Sequence, residues 1–261
     1  MSYINRAFIV IFFLCASGTA SPQSTKSTVV DDAHSLKIKE NIILRLKRAR
    51  PDLEFSDIEA SPLSGVYEVK VNGQLAFVGE NGDYLISGEM FKINPDGLVN
   101  LQELERKKVE IAFEPERAKL MNAVERETMV VFTPSGEIKS YVNVFSDIDC
   151  PFCRRMHGEI DKYLDKGIEV RYLAFPIGGL SSNSAKKLAT TWCSSDPQVL
   201  MTRYKRGENI PVVDCDASII SDHYELGRKV GVTGTPAIVL PSGKLIPGVV
   251  TPEILAQELG I

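Results

Sequence analysis

Leu36, Ile38, Ile42, Ile43 and Leu46 recur at helical spacing, with Lys37, Lys39, Arg45, Lys47 and Arg48 around them. The pattern predicts a short amphipathic helix, ended by Arg50-Pro51 because the residue before a proline avoids the helical region. The preceding segment, 21–33, is rich in Ser, Thr and Asp and is expected to fray. The helix is basic, but Asp52, Glu54 and Asp57 follow at once, which favours a solvated outer face over a membrane or nucleic-acid surface. Next, Val66, Glu68 and Lys70 alternate with Tyr67, Val69 and Val71, Asn72-Gly73 follows, and Leu75 and Phe77 lead to Asn81-Gly82 and Tyr84-Leu85-Ile86. Asn-Gly favours the type I′ turn between antiparallel strands, so a three-stranded meander is expected. Helix plus meander makes only a small core, and its unpaired edge calls for cover that a symmetric partner could supply.

Asn100, with Glu103 at the third position, reads as a helix start. The Glu-, Lys- and Arg-rich stretch that follows reads as a semi-rigid helical connector, broken at Pro115. From about 128 the pattern changes. Met129–Phe132 and Tyr141–Phe145 read as strands, Cys150 opens a helix running to about Leu164, and Ile168–Leu173 is another strand. Mostly helical sequence reaches about Val230, then come strand Pro236–Leu240, a Ser242-Gly243 turn and a closing helix from about Pro252. Strand–helix–strand followed by a hairpin and a helix is a thioredoxin-like order, here with a helical insertion. The expected fold is therefore an α+β N-terminal domain (helix plus antiparallel meander), a helical linker and an α/β thioredoxin-like domain. The expected boundaries are a leader over 1–20, an N-terminal domain over 21–95, a linker helix over 96–125 and a catalytic domain over 126–261.

Composition changes this picture little. Of 261 residues, 44% are apolar and 25% charged, ordinary for a globular chain. A net charge of −4 supplies no basic field for nucleic acid. The first residues change it more. Arg6 precedes an apolar run from Ala7 to Ala16, and Gly18 and Ala20 set small side chains ahead of a cut at Ser21, as in a secretory signal peptide. The run is too short to span a bilayer, which takes about 20 residues. Cys15 leaves with the leader, and Cys150, Cys153, Cys193 and Cys215 enter an oxidising compartment, where disulfides persist.

Cys150-Pro151-Phe152-Cys153 stands at the expected strand-to-helix junction. There the free N–H groups and positive end of a helix stabilise a thiolate on the first cysteine, and the second lies one turn on, within reach of a disulfide. Pro151 suits a first helical turn. Cys150 is then the exposed attacking thiol and Cys153 the resolving one. Arg154, Arg155 and His157 read as solvent-facing helix residues, although each could tune the thiolate. A zinc centre of all four cysteines is the competing reading, but such sites pair CxxC with a second CxxC, and Cys193 and Cys215 lie 22 positions apart. Those two would form a structural bridge instead, worth roughly 3 kcal/mol for a loop of that length. Two free buried cysteines is the alternative there, which an oxidising compartment disfavours. Thr235-Pro236 heads an apolar strand where a thioredoxin-like domain holds a cis proline against its cysteines and pairs the preceding backbone with substrate.

These segments together resemble the DsbC family of periplasmic disulfide isomerases: Val144 through Cys153, Arg171-Tyr172-Leu173-Ala174-Phe175-Pro176, Trp192-Cys193, Asp222 through Gly227 and Gly231 through Ala237. The resemblance implies a homodimer with two thioredoxin-like domains facing an apolar cleft, built on an N-terminal dimerisation domain. It implies misfolded disulfide-containing secreted proteins as substrates. It also implies a membrane thiol reductase of the DsbD type that keeps Cys150 and Cys153 reduced, with Thr235 and Pro236 positioning substrate. No metal or organic cofactor is implied. Pro-Phe stands where the well-known isomerase carries Gly-Tyr, and Arg154 where it carries histidine, both next to the thiolate whose stability sets the redox balance. A DsbG-like reductase, a thiol oxidase and a chaperone that holds unfolded chains without turnover are the rival readings.

Overall fold

The computed structural model describes the backbone of residues 26–215 and 218–261, with side chains described from residue 34 onward. The leader expected over 1–20 lies outside them. The chain divides into two compact units, Met1–Gln102 and Glu103–Ile261.

In the first unit, α1 (Lys26–Ala49) lays Ile38, Ile42, Ile43 and Leu46 against Phe55, Ile58, Val69, Ala76 and Val78. The helix starts ten residues before the apolar stripe, so residues 26–33, expected to fray, are helical. The sheet has four antiparallel strands in the order β1-β2-β3-β4: β1 (Phe55–Ala60), β2 (Val66–Val71), β3 (Gln74–Gly79) and β4 (Leu85–Ile86). At the β2–β3 hairpin Asn72 and Gly73 both take positive φ, 49° and 79°, as a type I′ turn requires. The three-strand expectation misses β1 for a local reason. Asp57 sits at φ 50° and the register slips between Ser56 and Glu59, so Phe55 and Ile58 both turn inward at a spacing of three rather than two.

The linker expectation also needs correction. Residues 91–100, which straddle its start, form a hairpin of β5 (Phe91–Asn94) and β6 (Gly97–Asn100), turning at Pro95-Asp96. The helix α2 begins at Leu101 and runs to Asn122 without a break at Pro115. Pro115 lies on an exposed stretch, where water can take the carbonyl that a proline leaves unbonded.

The second unit holds a mixed five-stranded sheet, order β11-β10-β8-β9-β7, made from β7 (Val130–Phe132), β8 (Ser140–Ser146), β9 (Ile168–Ala174), β10 (Ala237–Val239) and β11 (Leu245–Pro247). Only the β8–β9 pair is parallel. Between β8 and β9 lie α3 (Pro151–Gly158) and α4 (Ile160–Asp165). The single helix expected to run to Leu164 is thus two, parted where Glu159 leaves helical geometry at φ −110°, ψ 18°. Between β9 and β10 lie α5 (Asn183–Trp192), α6 (Pro197–Lys205) and α7 (Ser218–Lys229), and α8 (Pro252–Leu259) closes the chain. The core is the near-continuous apolar run of β8 and β9, covered by Met156, Leu188, Met201, Tyr204, Ile220 and Leu255 from the helices. Arg117 of α2, fully buried, donates to Val230 O at 2.7 Å and Gly243 O at 2.9 Å. Gly243 takes φ 91°, and a Cβ there would meet Glu114 O at 1.8 Å, so the β10–β11 turn admits only glycine beside α2.

Candidate active site

β8 delivers the chain to the site, and a polar brace holds the loop that follows. The Asp147 carboxylate accepts the N–H groups of Asp149 at 2.7 Å and Ile177 at 2.8 Å and the Ser184 hydroxyl at 3.0 Å. Arg154 reaches back to Ile148 O at 3.0 Å and to Asp149 at 2.8 Å, and Lys187 meets Asp149 at 2.7 Å. Cys150 then occupies the N-cap of α3 with extended backbone (φ −69°, ψ 122°), and Pro151 takes the first helical turn, where a missing N–H costs nothing.

Cys150 and Cys153 are unbonded. Cys150 is more recessed than the exposed thiol expected, at 6% exposure, while Cys153 is at 1%. The Cys150 thiol donates to the Thr235 carbonyl at 3.2 Å, and the Thr235–Pro236 bond is cis. Two residues 85 positions apart thus meet across the site. The two thiols differ in acidity. Burial raises the Cys150 pKa, but hydrogen bonding from Thr235 and from the Cys153 and Phe152 backbone N–H groups outweighs it, and the net direction is down. For Cys153 burial dominates and the net direction is up, although Lys205, Ser146 and Thr235 each pull the other way. The Thr235 hydroxyl is buried without a partner while the cysteines are thiols, which leaves it ready to serve a thiolate.

Of the three tuning candidates on α3, only Arg155 is solvent-facing; it stacks over the exposed Phe152 ring at 5.3 Å. Arg154 is half-buried in the brace. His157 contradicts its expected exposure. It is buried between the Tyr172 hydroxyl at 3.1 Å and the Thr202 hydroxyl at 3.0 Å, edge-on to Phe132. Burial, then the charges of Lys205 and Arg206, push its pKa down to about 3. Cys193, capping α5, is bonded to Cys215 with 6.6 Å between the Cα atoms, so neither thiol is available to a metal ion. Two residues beside Cys153 escaped the sequence reading. Ser146 ends β8 inside a quoted motif, whereas Lys205 sat in a charged stretch, Arg203-Tyr204-Lys205-Arg206, with nothing to mark it as buried.

A mixed sheet that presents a dithiol on a helix N-terminus, with a Thr-Pro backbone against the first sulfur, defines a thioredoxin-like disulfide oxidoreductase. The likenesses to known proteins agree. Residues 125–260 match the thioredoxin-like domain family, and residues 20–103 match the disulfide bond isomerase protein N-terminal domain. The thiol:disulfide interchange protein DsbC of Escherichia coli K12 is 33% identical over 211 residues, covering 81% of this chain and 84% of that protein. Its counterpart in Haemophilus influenzae is 33% identical over 216 residues, covering 82% and 88%. A solved structure of a linker-deletion mutant of Proteus mirabilis ScsC shares the fold alone, at 19% identity and a TM-score of 0.50 over 60% of this chain and 86% of that one. The chain belongs to the DsbC family and is a thiol:disulfide oxidoreductase of the isomerase type. Among the described residues no helix is long and apolar enough to cross a membrane.

Proposed function

We propose that this chain is a periplasmic isomerase and reductase that rearranges wrong disulfides in misfolded secreted proteins, with Cys150 attacking and Cys153 resolving. The observation that carries the reading is the opposite direction of the two thiol acidities: the helix-capping Cys150 is shifted toward thiolate and the deeper Cys153 away from it. Cys150 thiolate attacks a substrate disulfide, forming a mixed disulfide and expelling one substrate thiolate. That thiolate then attacks another substrate disulfide, which completes isomerisation, or Cys153 displaces the substrate and leaves it reduced. Thr235 and Pro236 hold the substrate backbone beside Cys150. The Cys193–Cys215 bond is structural. The N-terminal unit makes the protein a homodimer, a DsbD-type membrane reductase returns Cys150 and Cys153 to the dithiol, and the leader over 1–20 supplies the periplasmic address.

The test is recovery of scrambled ribonuclease in glutathione buffer by the mature full chain, run beside a chain lacking residues 21–95. Recovery by the full chain that is lost on truncation supports a dimeric isomerase. Oxidation of reduced ribonuclease alone, unchanged by truncation, replaces it with an oxidase.

A further inference from the structure

Lys205, at the end of α6, is 5% exposed. A lysine is almost never buried so far without an anion. Its Nζ donates to the Ser146 hydroxyl at 2.8 Å and to the Asp147 backbone carbonyl at 3.3 Å, and lies 5.4 Å from the centre of the Tyr172 ring. Among the described residues no carboxylate comes within 4.0 Å of it, and the Asp147 carboxylate is engaged by Asp149, Ile177 and Ser184. The ionisable groups around Lys205 are Cys150, Cys153, Arg154 and His157 from α3, Asp147 from the loop after β8, Tyr172 from β9, and Arg206 beside it in the chain. Of these, the thiols are the groups that become anions during disulfide exchange.

We propose that Lys205, with Ser146, is a positioning residue for the resolving step, a buried cation whose missing counter-ion is the Cys153 thiolate. The Ser146 oxygen accepts from Lys205, so its own O–H is free to turn to the Cys153 sulfur. Both the Lys205 charge and the Ser146 hydroxyl act to lower the Cys153 pKa against the larger, raising effect of burial. In the step itself Cys153, as thiolate, attacks the Cys150 sulfur of the mixed disulfide. The Cys150–Cys153 bond forms, the Cys150–substrate bond breaks, and the substrate leaves with the electron pair; in net, the proton that Cys153 lost ends on the substrate thiol. Lys205 thereby favours reductive release over a long-lived mixed disulfide, and so biases the enzyme from isomerase toward reductase.

This inference rests on reading Cys153 as the resolving thiol, and the experiment separates the two. In the full chain carrying Cys150→Ala, the ultraviolet thiolate absorbance of Cys153 is followed against pH. Lys205→Met moves the midpoint up by about one unit or more, and Ser146→Ala moves it up by less. With Cys150 restored, Lys205→Met lowers the ratio of reductive release to first attack about tenfold. An unchanged Cys153 midpoint in folded Lys205→Met overturns the proposal. Should that variant not fold, an unchanged midpoint in Ser146→Ala overturns it. A midpoint that moves while Cys153→Ala fails to accumulate mixed disulfide leaves the Lys205–Cys153 pairing standing and sinks the resolving role instead.

Discussion

The two units solve burial in opposite ways. The thioredoxin-like unit encloses its apolar residues in two clusters around β8 and β9, and even its reactive thiols sit beneath the surface. The N-terminal unit closes one small cluster under α1 and leaves much of its apolar surface in water: Tyr84 is 79% exposed, Ile93 83% and Leu98 65%. Its edge strand β4 carries Leu85 and Ile86, both exposed. A lone exposed leucine needs no explanation, but an apolar strand at an unpaired sheet edge is a template for another chain. The difference teaches that chemistry and assembly are divided: one unit is complete by itself, and the other is built to be completed by a second copy.

Charging that edge should break the arrangement most severely. Leu85→Asp with Ile86→Asp is expected to weaken self-association at least about 100-fold, near 3 kcal/mol, as read by sedimentation. Scrambled ribonuclease recovery falls with it, while single-turnover attack of Cys150 on oxidised glutathione stays within about twofold. A double variant that remains dimeric removes β4 from the interface. One that loses glutathione attack as well denies the division of labour.

The same contrast governs what could be read from the chain. Strands β2 and β3 and their turn were legible because alternation and Asn72-Gly73 are local signals, and a type I′ turn needs nothing from elsewhere. β1 was not, because the bulge at Asp57 replaces the period of two on which strand reading depends. The β5–β6 hairpin was hidden behind an expected helix, although Asn94-Pro95-Asp96-Gly97 carries turn chemistry. At the site, the placement of Cys150 on the α3 N-terminus follows from four adjacent residues. Lys205 and Ser146 stand 59 positions apart, and His157 meets Thr202 across 45, so only the folded chain unites them. Local spacing carried the dithiol; its electrostatic surroundings are a tertiary product.

The bond between Cys193 and Cys215 sharpens the comparison at a smaller scale, because it lies wholly in the self-sufficient unit. Replacing both with alanine removes a constraint on the unfolded chain worth roughly 3 kcal/mol by loop entropy. In urea, the transition of the thioredoxin-like unit should move by that amount, and that of the N-terminal unit should stay in place. The acidity of Cys150 should also hold, since the bond touches neither α3 nor Thr235. If both transitions shift together, the units are not thermodynamically separate.

The smallest expected effect is the pH response, and it too is assigned to one unit. Among the three histidines, His34 is exposed, whereas His157 and His223 are buried in the thioredoxin-like unit. Burial drives the pKa of His157 down to about 3 and that of His223 to about 4. Both rings are therefore neutral in the folded chain, while an unfolded histidine takes a proton near pH 6.5. Below that point the unfolded state binds more protons, so stability is fully present above pH 6.5 and falls as pH drops toward the folded values. His157→Gln offers polar atoms to Tyr172 and Thr202 but cannot titrate, and should flatten this loss by about 1 kcal/mol at pH 5.5. Urea midpoints of the thioredoxin-like unit at pH 7.5, 6.5 and 5.5 read the slope directly. A slope unchanged by His157→Gln would mean that the ring is charged in the fold beside Lys205 and Arg206, an arrangement with two like charges and no carboxylate to offset them.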